Sequence, residues 1–135
     1  MSIRNLLDRR LRDAAISCGI AVSPTDHLAA PSARPEFGDF QANLALAAAR
    51  EMNAKPRDLA ERLVARAQLA DIASRVEIAG PGFINIHLAD DFLARLLDDL
   101  RGAHRLCPLA AHPVRTVVDY SSPNLAKEMH VGHLR

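Results

Sequence analysis

The sequence has no tryptophan, one tyrosine and four phenylalanines, only 4% aromatic in all, so a binding surface made of many rings stacked on bases is excluded. Cysteine is equally scarce: Cys18 and Cys107 lie far apart in no CxxC pattern, too few for a disulfide scaffold, and read as reduced thiols with packing roles. An excess of one charge is missing too, since the formal net charge is +1. No bulk field draws in nucleic acid, and any such contact has to be local. No stretch approaches the roughly 20 uninterrupted apolar residues of a membrane span, and the opening MSIRNLLDRR has no apolar signal-peptide centre behind its charges. A soluble, cytoplasmic protein with no membrane partner is expected.

What is present suits one packed core: 49% hydrophobic and 24% charged residues in 135. Ser2 is placed to cap a helix with Ile3, Leu6, Leu7 and Leu11 at helical spacing, and Gly19 to end it. Pro24, Pro31 and Pro35 break up residues 20–38 into brief edge strands and turns. Alanine and leucine predict a helix over 41–52, and Lys55-Pro56 opens a second one that turns Leu59, Leu63, Val64 and Ala67 inward. Alternation at Val76 and Ile78, the turn Gly80-Pro81-Gly82, and alternation at Ile84, Ile86 and Leu88 predict a β-hairpin. Asp90 or Asp91 then caps a helix with Phe92, Leu93, Leu96, Leu97 and Leu100 on one face and Gly102 at its end. Periodicity disappears in AHRLCPLAAHP, residues 103–113, as in an interdomain linker, and VRTVVDY reads as a strand leading into a polar turn. A strand of that kind opens a βαβ unit whose helix and return strand do not follow, so the second domain is expected to be truncated.

Chemically capable side chains concentrate after that strand, where α/β sheets bind ligands: Asp119, Ser122, Asn124, Lys127, His130, Gly132 and His133. A helix starting there would present free N–H groups to phosphate, Gly132 would let a flat base approach the backbone, and Lys127 would neutralise charge building on a transferred phosphoryl group. Taken alone, His130 and His133 are also compatible with ordinary surface or core histidines, or with a metal-binding HxxH pair. The whole stretch SSPNLAKEMHVGHLR closely resembles the HIGH signature of class I aminoacyl-tRNA synthetases, in the extended form of the arginyl-tRNA synthetases.

Two further segments resemble the N-terminal domain of the same family: Glu36-Phe37-Gly38-Asp39-Phe40-Gln41-Ala42-Asn43 and Ala79-Gly80-Pro81-Gly82-Phe83-Ile84-Asn85-Ile86. The resemblance implies ATP binding by His130, Gly132 and His133, with Lys127, His130 and His133 catalytic. It implies arginine binding by Asp119, Ser122 and Asn124, whose carboxylate and neutral acceptors suit a guanidinium and an α-ammonium. It also implies contact with the D-loop at the outer corner of the tRNA, for which Phe37, Asp39 and Gln41 are the candidates. Loop bases are read by an aromatic face and by polar atoms at their edges, and these residues supply both. A structural reading stands beside this one: Asp39 as a helix N-cap, Phe40 in the core, and Gln41 and Asn43 in the first helical turn, which leaves Phe37 and Gln41 as the stronger RNA candidates. Gly80-Pro81-Gly82 is read as a turn without direct contact, and Arg57, Arg62 and Arg66 as a solvated helix face that is also able to touch phosphates.

The fold expected is α+β: a small antiparallel sheet covered by helices on one face, the N-terminal additional domain of the arginyl enzymes, followed by a truncated start of a Rossmann-like catalytic domain. Residues 1–105 would form the first part, 106–113 a linker and 114–135 the first strand and HIGH motif. The parent enzyme would be an arginine-tRNA ligase with ATP and Mg²⁺, L-arginine and its tRNA as substrates and partners, and a monomer. The chain itself would be inactive, with no metal and no bound cofactor. An HxGH-type nucleotidyl transferase fragment and a protein-interaction module are the alternatives.

Overall fold

In a computed structural model, residues 2–102 and 114–118 are described. The elements run α1 (Ile3–Ser17), β1 (Ala29–Pro31), a 3-10 turn (Pro35–Phe37), β2 (Phe40–Ala42), α2 (Leu44–Glu51), α3 (Pro56–Ala67), β3 (Ala73–Ala79), β4 (Phe83–Leu88) and α4 (Asp90–Gly102). The four strands form one antiparallel sheet in the order β1-β2-β4-β3. The expected α+β architecture is what the chain adopts.

Helix α1 begins as its sequence directs, with the Ser2 hydroxyl accepting from the Asn5 N–H. Leu7 and Leu11 are fully buried, as are Leu59 and Leu63 of α3, and these face Ile84 and Ile86 of β4 and Ile72 just before β3 in one core. Burial of each such side chain contributes about 1.5–3 kcal/mol, so this apolar layer dominates the stability of the fold. Among the described residues, no buried side-chain polar atom lacks a hydrogen-bond partner.

The buried Asp8 of α1 ties the segment before β1 to the helix layer. Its Oδ1 accepts from the backbone N–H of Leu28 at 2.9 Å and of Ala29 at 2.8 Å, and His27 Nδ1 lies 3.1 Å from Oδ2. Burial pushes the carboxyl up, but the Ala29 N–H, His27 and the Leu28 N–H together outweigh it and hold Asp8 below the usual carboxylate range.

Three expectations are corrected. The helix over 41–52 starts only at Leu44, because Phe40, Gln41 and Ala42 are recruited as a strand between β1 and β4, with Gln41 opposite both Ala30 and Asn85. Pairing on two sides outweighs the local helix preference of an alanine-rich run. Asp39 accordingly caps no helix: its Oδ2 accepts from the Leu88 N–H at 2.8 Å, and its own N–H donates to the Ile86 carbonyl at 2.9 Å. Residues 114–118, expected as a strand, belong to no ladder, and Val114, Val117 and Val118 are exposed. Among the described residues no strand pairs with this segment to satisfy its backbone. Helix α4 forms as expected, yet none of its residues is buried and Leu97 is 61% exposed. The linker 106–113 lies outside the described residues.

Between the 3-10 turn and β2 the chain closes tightly onto β4. Gly38 has φ +84° and ψ −167°, and a Cβ there would stand 2.6 Å from the Ile86 carbonyl oxygen. Only glycine adopts that backbone without strain, and only glycine leaves room for the contact. Gly38→Ala is expected to lower stability by about 2–4 kcal/mol in urea unfolding, since strain and a backbone shift add together.

Asp8→Ala is expected to cost about 2–4 kcal/mol at pH 7, because two backbone N–H groups lose their acceptor. The Asp8 carboxyl is depressed in the folded state, so its stabilisation is present above the unfolded carboxyl value of about 3.9 and fades as pH falls through the folded one. The difference between wild type and variant therefore narrows below about pH 4; urea midpoints across pH 2.5–7, a range of about that width around the carboxyl, check it.

Candidate nucleic-acid interface

Because side chains alternate along a strand, Ile84 and Ile86 point into the helix-covered core and Phe83, Asn85 and His87 to the other face. The register places Gln41 of β2 and Glu77 of β3 on either side of Asn85, and Arg75 of β3 opposite His87. The face of the sheet opposite the helix-packed core thus carries a polar strip beside an aromatic ring.

At its centre the Gln41 Nε2 donates to Asn85 Oδ1 at 2.8 Å. Asn85 is buried at 2% exposure and Gln41 half-buried, so the buried amide holds the Gln41 amide in a fixed orientation. The fixed Gln41 amide, with donor and acceptor capacity left over, is suited to reading the edge of a base, and the half-buried Phe83, on the same face of β4 as Asn85, supplies a flat apolar face near it. Toward the other end, Arg75 approaches Glu77 at 3.3 Å and donates toward His87 Nε2 at 3.2 Å.

The sequence candidates fall into three places. Gln41 is on the strip itself. Asp39 is at its far end, with a carboxylate already engaged by the Leu88 N–H. Phe37 stands in the 3-10 turn, 36% exposed, with the Arg34 guanidinium 6.0 Å from its ring centre. The fold therefore brings Asp39 and Gln41 to one face and leaves Phe37 off the strip. Phe83 and Asn85 were not among the expected contacts. The signal for them was the alternation of Phe83-Ile84-Asn85-Ile86-His87, which sets a ring and an amide two residues apart on the face opposite the apolar one.

Asp119, Ser122, Asn124, Lys127, His130, Gly132 and His133 lie outside the described residues. Among the described residues, no group of three or more His, Cys, Asp or Glu is placed to hold a metal ion, and no helix is long and apolar enough to cross a membrane.

Comparison with known proteins places this strip in a context. Residues 1–88 match the family model described as arginyl tRNA synthetase N terminal domain, and residues 98–135 match that of the catalytic domain of class I (R) tRNA synthetases. Over the whole chain, the sequence is 52% identical to an arginine--tRNA ligase from Laribacter hongkongensis and 49% identical to one from Chromobacterium violaceum, spanning 23% of the length of each. The fold is similar to that of the Thermus thermophilus arginyl-tRNA synthetase, with a TM-score of 0.58 and 28% identity over 98% of this chain and 21% of that one. The chain spans about a quarter of the curated relatives it matches, and on the match of residues 1–88 to the N-terminal-domain model it belongs to the arginyl-tRNA synthetase family.

Proposed function

We propose that residues 1–105 dock the outer corner of the tRNA for arginine, and that a D-loop base is read on the polar face of the sheet, opposite the helix-packed core. The observation that carries this reading is the Gln41–Asn85 amide pair, held at 2.8 Å beside Phe83. Phe83 offers the stacking face, Gln41, fixed by the buried Asn85, offers directed donors and acceptors, and Phe37 with Arg34 flanks the strip. Asp39 acts by fixing β2 to β4 and so orients Gln41 two residues on.

In this proposal 106–113 is a linker and 114–135 opens the catalytic domain of an arginine-tRNA ligase, which attaches arginine to its tRNA with ATP and Mg²⁺, in the cytoplasm and as a monomer. Lys127, His130, Gly132 and His133 would serve the nucleotide and Asp119, Ser122 and Asn124 the arginine; none of them is among the described residues. The apolar stripe of α4, where the second family match begins at residue 98, would pack on the rest of that domain.

Binding of the tRNA for arginine is expected to exceed that of the same tRNA with its D-loop base altered, measured at one fixed salt concentration because phosphate contacts depend steeply on salt. Phe83→Ala should weaken the matched tRNA by about 1–3 kcal/mol. Gln41→Ala should shrink the difference between the two tRNAs, because an edge-reading amide is lost and Asn85 is released from its orientation. Equal binding of both tRNAs by the wild-type chain would overturn the reading.

A further inference from the structure

On the polar face, the hairpin joins three side chains whose partners depend on one proton. The register sets Arg75 of β3 opposite His87 of β4, and Glu77, two residues along β3, shares their face. Arg75 Nη2 lies 3.2 Å from His87 Nε2 and Arg75 Nη1 lies 3.3 Å from Glu77 Oε1. Glu77 Oε2 stands 3.8 Å from the same His87 Nε2. The ring is held in place: its side chain is 20% exposed, and its Cδ2 edge rests on the Gly38 backbone, where an added Cβ would stand 3.2 Å away.

These contacts specify a protonation state. A guanidinium keeps its protons and has no acceptor, so an imidazole nitrogen that receives a hydrogen bond from it must offer a lone pair. His87 is then neutral, with its proton on Nδ1. A proton added at Nε2 turns that acceptor into a donor and sets two cations 3.2 Å apart, while Glu77 Oε2, already at 3.8 Å, is able to receive the new N–H. The charged groups on the other side of the ring are engaged elsewhere. Asp39 of the segment leading into β2 accepts from the Leu88 N–H at 2.8 Å, and Glu36 and Arg34, in and before the 3-10 turn, lie 3.8 Å from one another. Helices α2 and α3 pack on the opposite, apolar face of β4.

We propose that His87 is a proton-controlled switch for Arg75. With the ring neutral, Arg75 is fastened to both His87 and Glu77 along the sheet. With one proton taken from solvent at Nε2, Glu77 turns to His87 and the guanidinium is released. The carboxylates of Asp39 and Glu77 outnumber the one guanidinium in this part of the face, and the added proton cancels that excess. For the RNA contact, this rests on the reading of the face given above: a phosphate backbone is held more firmly once His87 is charged.

Long-range proton–nitrogen correlation of the histidine rings in the free chain, followed from about pH 8 to about pH 5, where histidines change charge, reads the switch. His87 should start as the Nδ1–H tautomer, and the Arg75 side-chain signals should move with the charging of that ring and of no other. Arg75→Met, shown by urea unfolding to be folded, removes the donor and should let the Nε2–H tautomer appear. An Nε2–H tautomer in the wild type at the upper end of the range, or Arg75 signals indifferent to the His87 titration, would overturn the switch. The consequence for RNA is read separately, as binding of the tRNA for arginine at both ends of the range and one fixed salt concentration. On acidification the wild type should gain about two- to threefold more affinity than His87→Gln, the effect of one unit charge near a phosphate in water. A ring that switches while wild type and His87→Gln answer pH alike would uphold the switch and count instead against RNA on this face.

Discussion

The register of β2 on β4 is the constraint from which the rest of this surface follows. A slip of one residue would turn Gln41 inward and Phe40 outward, since the side-chain period along a strand is two. Three contacts prevent it: the Asp39 N–H on the Ile86 carbonyl, the Asp39 carboxylate on the Leu88 N–H, and the absence of a side chain at Gly38, where the chain passes the Ile86 carbonyl. The carboxylate takes over where the backbone ladder stops, so the last N–H of β4 is satisfied although β2 has only three residues. Short as it is, β2 joins both the edge strand β1 and the hairpin, and without it the sheet would be two separate pieces.

The two faces of the sheet divide the work. The helix side is apolar and closed, with Leu7, Leu11, Leu59 and Leu63 over Ile84 and Ile86, and Asp8 fastening the segment before β1 to α1. That layer makes the strand positions rigid. The other side is polar and carries its buried amide only because Gln41 meets Asn85; a buried amide without a partner costs about 1–3 kcal/mol. A rigid scaffold whose surface amide, Gln41, is held by a buried one has little ordering left to do in the proposed contact with a loop base, which favours discrimination between bases. The absence of tryptophan and the single tyrosine fit a surface that reads one base on one ring rather than a run of stacked bases.

Much of this was legible in the sequence where the cause is local. Ser2 caps α1, Pro56 opens α3, and the alternation around Gly80-Pro81-Gly82 gives the β3–β4 hairpin. What was hidden depends on partners distant in the chain. Phe40, Gln41 and Ala42 look like the start of an alanine-rich helix, and only pairing with residues more than 40 positions away makes them a strand. The same distance concealed the role of Asp39, whose local signature is that of an N-cap, and of Asn85, whose neighbour Gln41 is 44 residues earlier. The candidate site was half legible. Gln41 was singled out through its motif, whereas Phe83 and Asn85 lay in the second family-like segment, to which no contact was assigned.

The central proposal is that RNA is met on the polar face of the sheet, opposite the helix-packed core. A proton–nitrogen correlation spectrum of the chain, recorded with and without an RNA hairpin carrying the D-loop, tests it directly. The side-chain amide signals of Gln41 and Asn85 and the backbone signals of 83–87 should move together, while those of Leu7, Leu11 and Ala14 in α1 stay in place. Shifts confined to α1 or α4, with both amide pairs unmoved, would contradict the account.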